Sequence, residues 1–158
     1  MSKVLKYTAL VLLAGFIIIQ FFRGDFPENR TENPNDIFET VEASVEVKNL
    51  IRAACYDCHS METKYPWYSQ VAPVSWWIID HIEEGRDELN FSDFNTYKER
   101  RMLRKLKEIA EEVEGEKMPL PSYIRGHSEA RLTDEQRVMI QDWASQSAKT
   151  LLEKSEDQ

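Results

Sequence analysis

"CYDCHS", residues 55–60, contains both cysteines of this 158-residue chain. Cys55 and Cys58 stand three positions apart, and His59 follows the second cysteine directly. Four kinds of site use cysteines at such a spacing: a zinc site, a redox-active dithiol, a structural disulfide and a covalent haem attachment. The rest of the chain has to decide among them.

The sequence gives little support to three of these alternatives. A structural zinc site needs four ligands, so His81 or His127 would have to join the motif, and adjacent Cys58 and His59 rarely reach one tetrahedral ion. A thioredoxin-like dithiol follows a strand in a βαβ pattern, and no segment here alternates like a strand. A disulfide across two residues closes a very short loop and restricts the unfolded chain only slightly.

The covalent haem interpretation accounts for all three residues of the motif. The two thiols would add to the two vinyl groups of haem as thioethers, since two intervening residues on one helical turn match the vinyl spacing. His59 would then lie beneath the iron and donate an imidazole nitrogen. C-x-x-C-H is the c-type attachment sequence, so we predict one haem c held by Cys55 and Cys58, with His59 as the proximal ligand.

The N-terminal segment predicts a membrane anchor. Residues 7–22 are almost entirely apolar and are flanked by Lys3, Lys6 and Arg23. No A-x-A-like cleavage site follows, which favours an uncleaved signal-anchor over residues 1–23, with a cleaved signal peptide as the alternative. Since Lys3 and Lys6 are expected to stay in the cytoplasm by the positive-inside rule, the remainder of a bacterial protein of this kind would be periplasmic, on a single-pass inner-membrane anchor.

The remainder divides into a linker, one domain and a tail. Residues 24–35 are rich in Pro, Asn and charge without periodicity, which predicts a polar tether. Residues 36–152 carry apolar residues at helical spacing, which predicts an all-α domain around the haem. Residues 153–158 are expected to fray.

We expect four main helices in the domain, joined by irregular loops. The first would run toward the cysteines, and a break near Ser44 could interrupt it. Residues 117–132 should be irregular, because two prolines two positions apart interrupt any helix. The expected boundary signals are Asn35 or Asp36 for the first helix, Pro73 for the second with Gly85 ending or weakening it, Ser92 or Asp93 for the third with Gly115 at its end, and Thr133 with Gln136 for the fourth.

The net charge excludes one class of partner. The chain carries −8 at pH 7, and nucleic-acid binding needs basic patches, so no nucleic-acid partner is expected. The first 23 residues hold three basic residues and no acid, so −8 less +3 leaves −11 on the remainder. Such a field would attract a basic redox partner.

Several ordered motifs carry a family resemblance. They are, in chain order, CYDCHS, KYPWYSQVAPVSWW, DHIEEGRDELNFS, GEKMPLPSYIRGH and ARLTDEQRVMIQDWA, and they cover most of residues 38–147. The chain resembles the small bacterial haem-binding domain proteins, which are related to class I c-type cytochromes. The resemblance implies a helical fold around one haem, usually behind an N-terminal signal or anchor, and it names no partner.

Met118 is the predicted second axial ligand. It precedes Pro119 in the irregular segment, and class I cytochromes c resemble this in pressing the thioether of a Met-Pro loop onto the iron. A thioether stabilises ferrous iron and raises the potential relative to two histidines. His127, nine residues later, is the main alternative, and His81 lies on a helix. Trp76 could pack on the porphyrin or form core, and Tyr123 could bind a propionate.

These features predict an electron carrier rather than an enzyme. Iron with two protein ligands needs no substrate position, and the protein then supplies ligands, a dry pocket and an exposed haem edge. One alternative is a peroxidase with a labile iron site and Glu116 or His127 as acid or base. Another is a sensor in which a small molecule displaces Met118.

Overall fold

The computed structural model describes residues 2–156, apart from the side chain of Glu156, and this part of the chain is helical without strands. The all-α prediction is confirmed. The helices are α1 (Lys3–Ile19), α2 (Ile37–Thr40), α3 (Val45–Ala54), α4 (Tyr56–His59), α5 (Val74–Glu88), α6 (Glu99–Glu114) and α7 (Asp134–Glu156), and 3₁₀ turns lie at Gln20–Phe22, Trp67–Gln70, Phe91–Thr96 and Ser128–Ala130.

The core of the domain lies among α3, α6 and α7. Leu106, Ile109 and Val113 recur every three or four positions of α6 and are buried, and this helix packs along α7. α3 adds Val47 and Ile51 to the same core. Since α3 and α6 also line the cavity described below, the core that stabilises the fold fixes the walls of the site.

Most of the expected helix boundaries are confirmed. The first predicted helix is interrupted, and Ser44 caps α3 after the break. Asp36 caps α2 through the N–H of Phe38. Thr133 and Gln136 exchange hydrogen bonds of 2.9 and 3.2 Å ahead of α7, which is the expected capping box.

The predicted start of the third helix is wrong. Residues 91–96 form a 3₁₀ turn, and α6 begins only at Glu99. Ser92 does not cap it, because its hydroxyl accepts the N–H of Met61 at 3.0 Å. Asp93 does not cap it either, because its carboxylate pairs with Arg30. Tertiary contacts therefore engage the two side chains that local sequence assigned to a cap.

α1 continues through its 3₁₀ turn into one apolar helix. Lys3–Phe22 forms 20 residues with none of the helix buried, or ~30 Å at ~1.5 Å per residue, which matches a hydrocarbon core. Length and composition are those of a membrane span, and a signal sequence near the N-terminus has the same properties.

Residues 24–35, the predicted tether, have little regular structure but are bonded to the domain. Arg30 donates to both carboxylate oxygens of Asp93 at 2.8 Å. Asn29 donates to the carbonyl of Thr63 and accepts its N–H, at 2.7 and 3.2 Å.

At the C-terminal end of the domain, α7 reaches Glu156, and residues 157 and 158 of the predicted tail lie outside the described residues.

Candidate functional site

Residues 55–59, the CxxCH turn, follow α3 directly and contain α4. The N–H groups of Cys58 and His59 both donate to the carbonyl of Cys55, at 3.2 and 2.9 Å. Cys55 and His59 therefore lie one helical turn apart, and both line one cavity. Cys58 joins them in lining an adjoining cavity. The three residues of the motif are thus gathered around one space.

α5 meets the CxxCH turn at Gly85. A Cβ at position 85 would lie 2.8 Å from the carbonyl oxygen of Cys58, which is too close for two atoms that share no bond. Only glycine permits such an approach of two backbones. α5 continues through Gly85 to Glu88, so this residue serves helix packing and does not end the helix.

The close approach directs carbonyl groups of this segment at His59. Its Nδ1 lies 2.8 Å from the carbonyl oxygen of Gly85 and 3.0 Å from that of Leu89. Two acceptors hold the proton on Nδ1, which leaves the lone pair on Nε2. Burial lowers the pKa of His59 below its ordinary value of 6.5 and favours neutral imidazole. Metal-binding histidines are held in this way through their other ring nitrogen.

The surroundings of the two thiols disfavour a redox dithiol. Both cysteines are free. Burial, with Cys58 nearby, raises the pKa of the Cys55 thiol to about 12. Burial and the neighbouring Asp57 raise the pKa of the Cys58 thiol to about 11. Redox dithiols depend on lowered thiol pKa values. Within residues 2–156, no group of three or more His, Cys, Asp or Glu side chains is arranged to hold a metal ion.

Two adjoining cavities meet at the CxxCH turn. One of about 400 Å³ is lined by α3, α5 and α6, and one of about 290 Å³ is lined by the turn, α5 and the loop after α6. Apolar atoms dominate both linings. Cys55, His59 and Met118 line both cavities. The structure therefore brings together the two side chains that the sequence predicted as axial ligands.

The backbone of Met118 is held at both its N–H and its carbonyl group. Its N–H donates to the carbonyl of Glu112 at 3.1 Å. Its carbonyl accepts from Arg137, which also donates to the carbonyl of Val113, both at 3.0 Å. A charged donor from α7 thus fixes the end of α6 and the start of the loop together at the cavity wall.

The histidine alternatives have other partners. His127 lines neither of the two cavities. Its Nε2 lies 2.8 Å from the hydroxyl of Tyr68, and its Nδ1 lies 3.3 Å from the carboxylate of Glu129. His81 lines the smaller cavity, with Nδ1 bonded to the carbonyl of Trp77 at 2.8 Å.

The two other predicted cofactor contacts differ in their placement. Trp76 lines neither cavity, is exposed, and donates its indole N–H to the carbonyl of Phe22 at the end of α1. The structure therefore places it apart from the CxxCH turn. Tyr123 lines the smaller cavity, and its hydroxyl donates to Asp57 at 2.7 Å. Its hydrogen bond ties the loop that carries Met118 to the CxxCH turn.

Sequence reasoning missed a buried lysine in the cavity wall. Lys105 is 5% exposed, and its Nζ lies 2.6 Å from Glu108 and 3.2 Å from Glu88. The signal was present in the sequence, because Lys105 stands three positions after Met102 and four before Ile109, on the apolar face of α6. A charged residue at such a position needs partners when it is buried.

Comparison with known proteins identifies the family. Residues 14–146, well over half of the chain, match the model of the haem-binding domain. The chain belongs to the haem-binding domain family. The resemblance that the motifs suggested is thus confirmed. No curated protein and no solved structure is significantly similar to this haem-binding domain protein.

The site fits the ligand of the haem-binding domain family. Haem needs a large apolar space and a donor for its iron. The two cavities supply the space. His59 supplies a free nitrogen, since no residue within 2–156 forms a hydrogen bond with its Nε2 while two carbonyls engage Nδ1. Haem is therefore the ligand that this domain accommodates.

Proposed function

We propose that this chain is a membrane-anchored haem c protein that transfers electrons. Cys55 and Cys58 hold the haem as thioethers, and His59 and Met118 are its axial ligands. α1 lies in the inner membrane and the domain lies in the periplasm. The observation that carries the proposal is that His59 and Met118 line the same two cavities beside the cysteines.

The residues of the site have separate tasks in this function. When bound, haem supplies a one-electron ferric–ferrous couple. His59 and Met118 would both donate to its iron, which would leave no position for a substrate. The carbonyls of Gly85 and Leu89 orient His59 and strengthen it as a donor. The apolar lining excludes water, and a thioether ligand favours the ferrous state.

The enzyme alternative has less support in the site. A peroxidase would need an acid or base beside an open axial position. Glu116 and His127, the two candidates from the sequence, line neither cavity. A ligand sensor is the other alternative, in which a small molecule displaces Met118. It differs from a carrier because its reduced form would bind carbon monoxide promptly.

Covalent attachment is tested first. The full chain is produced in a host with cytochrome maturation machinery, and its mass and pyridine haemochrome spectrum are recorded. We expect the polypeptide to gain the mass of one haem, which acid–acetone extraction does not remove. The double variant Cys55→Ala, Cys58→Ala should lose this mass. Colourless parent protein with the unmodified mass would overturn the proposal.

Axial ligation is tested next, by the visible spectrum with and without carbon monoxide. We expect the parent to show a methionine–iron charge-transfer band and, when reduced, to be indifferent to carbon monoxide. Met118→Ala should abolish the band and admit carbon monoxide, whereas Met102→Ala, a matched loss of core packing, should do neither. A band that survives Met118→Ala removes Met118 as the ligand, and prompt carbon monoxide binding by the parent favours the sensor or the enzyme.

A further inference from the structure

An exposed apolar surface surrounds the junction between α1 and the domain. Phe21 and Phe22 end the apolar helix and are 82% and 69% exposed. Trp67, in the turn that follows Pro66, is 80% exposed, and the first turn of α5 adds three further apolar side chains. We call this set the apolar collar: Phe21, Phe22, Trp67, Val74, Trp76 and Trp77.

Hydrogen bonds join the collar to the end of α1. The Gln20 side chain donates to the carbonyl of Ala72 and accepts its N–H, both at 3.0 Å. Arg23 donates to the carbonyl of Gln70 at 3.0 Å. Together with the indole contact of Trp76, these bonds attach the 67–70 turn and the start of α5 to the last turn of the apolar helix. The collar therefore lies at the same level along the axis of α1 as the C-terminal end of that helix.

The two stretches of sequence that carry the collar contain no acidic residue, and the nearest acids, Asp25 and Asp80, directly follow them. The chain has 28 Asp and Glu residues, yet none lies among residues 1–24 or 64–79. These two stretches contain every member of the collar. Contact with acyl chains disfavours charged acids, so their absence from these two stretches agrees with a surface that faces lipid.

We propose that the apolar collar lies in the interfacial region of the bilayer, so that the domain rests on the membrane surface. The proposal depends on the membrane anchoring of α1 stated under Proposed function. If the ~30 Å of Lys3–Phe22 span the hydrocarbon core, Gln20–Phe22 lie at its edge, and the collar lies at headgroup level. Tryptophan is enriched at this level, where an apolar ring and a polar N–H are both accommodated.

The collar then fixes the position of the haem site relative to the membrane. Trp77 and Gly85 are eight residues apart on α5, or ~12 Å along the helix axis. Since Gly85 contacts the CxxCH turn, the turn is held within about this distance of the interface, whatever the tilt of α5. A redox partner in or on the membrane would therefore meet the haem without any motion of a tether.

Photo-crosslinking to lipid tests this proposal on the full haem-loaded chain. p-Benzoyl-phenylalanine replaces Trp67 or Trp77 in protein reconstituted into phosphatidylcholine nanodiscs, and adducts are identified by mass spectrometry. Val11 in α1 reports on anchoring, and the exposed Lys107 on α6 is the control. Each variant must keep the visible spectrum of the parent, which excludes misfolding.

We expect lipid adducts from positions 11, 67 and 77 and none from position 107. Adducts at position 11 without adducts at 67 and 77 would overturn the collar proposal and leave the anchor intact. No adduct at position 11 would overturn both the collar and the anchor, without affecting haem attachment. Adducts of positions 67 and 77 with a second polypeptide in place of lipid would also overturn it, because the collar would then be a protein interface.

Discussion

Gly85 is the residue on which the geometry of the CxxCH turn depends most directly. An added Cβ would meet the carbonyl oxygen of Cys58 at 2.8 Å, and backbone atoms cannot rotate away as a flexible side chain would. We expect Gly85→Ala to lower the free energy of unfolding by about 1–3 kcal/mol, the usual cost of overpacking. Denaturant titration in detergent, followed by haem absorbance, measures the effect.

The matched control for Gly85→Ala is Gly15→Ala. A Cβ at position 15 meets no atom within 4 Å, so this variant should unfold at the parent's midpoint. Gly85→Ala should also perturb the visible spectrum, because the carbonyl of Gly85 holds His59. Equal midpoints for the two variants would show that α5 can move away from the turn at little cost.

Lys105 places a positive charge in the wall of the haem site. Burial disfavours its charged form, but hydrogen bonds with Glu108 and Glu88 outweigh burial and raise its pKa. A positive charge favours ferrous over ferric iron, and loss of Lys105 would leave Glu88 and Glu108 uncompensated beside the site, an effect on the order of 1 kcal/mol at an effective dielectric constant of ~20. Lys105→Met should therefore lower the reduction potential. Potentiometry should find a smaller change for Lys107→Met, and an equal one would contradict the assignment.

At the scale of elements, α7 controls the loop that carries Met118. Arg137 donates to the carbonyls that bracket this corner, on Val113 and Met118, and hydrogen bonds from charged groups contribute about 1.5–3 kcal/mol. We expect Arg137→Ala to lower stability by about that amount. It should also weaken the methionine–iron band and speed the binding of added imidazole, as stopped-flow absorbance would show.

The control for Arg137→Ala is Arg104→Ala. Arg104 is exposed, and among the described residues its side chain forms only an i,i+4 pair with Glu108, so its loss should leave the band and the imidazole rate unchanged. If Arg137→Ala lowers stability without altering either spectral property, Arg137 supports the fold but does not position Met118.

The ion pair between Arg30 and Asp93 should keep residues 24–35 packed against the domain. Asp93→Ala removes both 2.8 Å contacts. The two side chains are only 36% and 32% exposed, and Asn90 also donates to Asp93 at 2.9 Å, so stability should fall by about 1–3 kcal/mol while the segment opens locally. We expect faster tryptic cleavage after Arg30, read by mass spectrometry. Glu111→Ala, which breaks an exposed pair on α6, should leave that cleavage unchanged.

Sequence patterns predicted the elements where the deciding interactions are local. The break at Ser44 and the capping box before α7 follow from side chains that bond their own backbone a few residues away. The start of α6 did not follow, because Met61 and Arg30, distant in sequence, engage Ser92 and Asp93. A local pattern contains no information about such partners.

The same limit applies to the site. The CxxCH motif and the Met-Pro pair indicated which residues surround the cavity, because their chemistry is specific. The need for glycine at position 85, the distance of Trp76 from the turn and the buried charge of Lys105 arise from packing between separate helices. Of these, only Lys105 had a local signal, a charge on an apolar helical face.

Over the whole molecule, charge is separated along the chain. The first 23 residues are basic and the remainder carries −11, the difference between −8 in total and +3 in that segment. The negative part still contains one acid-free stretch, residues 64–79, which carries most of the apolar collar. A partner that approaches from solution therefore meets a negative field, which steers cations toward the domain.

This field should appear in the kinetics of electron transfer with small oxidants. At low salt, the reduced protein should transfer electrons faster to a cationic cobalt complex than to an anionic iron complex of similar driving force. Added salt should slow the first reaction and speed the second, because the screening length falls from ~10 Å at 0.1 M to ~3 Å at 1 M. A neutral quinone, the control in stopped-flow, should be insensitive to salt. If the anion reacts faster at low salt, electrons leave through a locally positive surface, and the net charge of the domain does not select its partner.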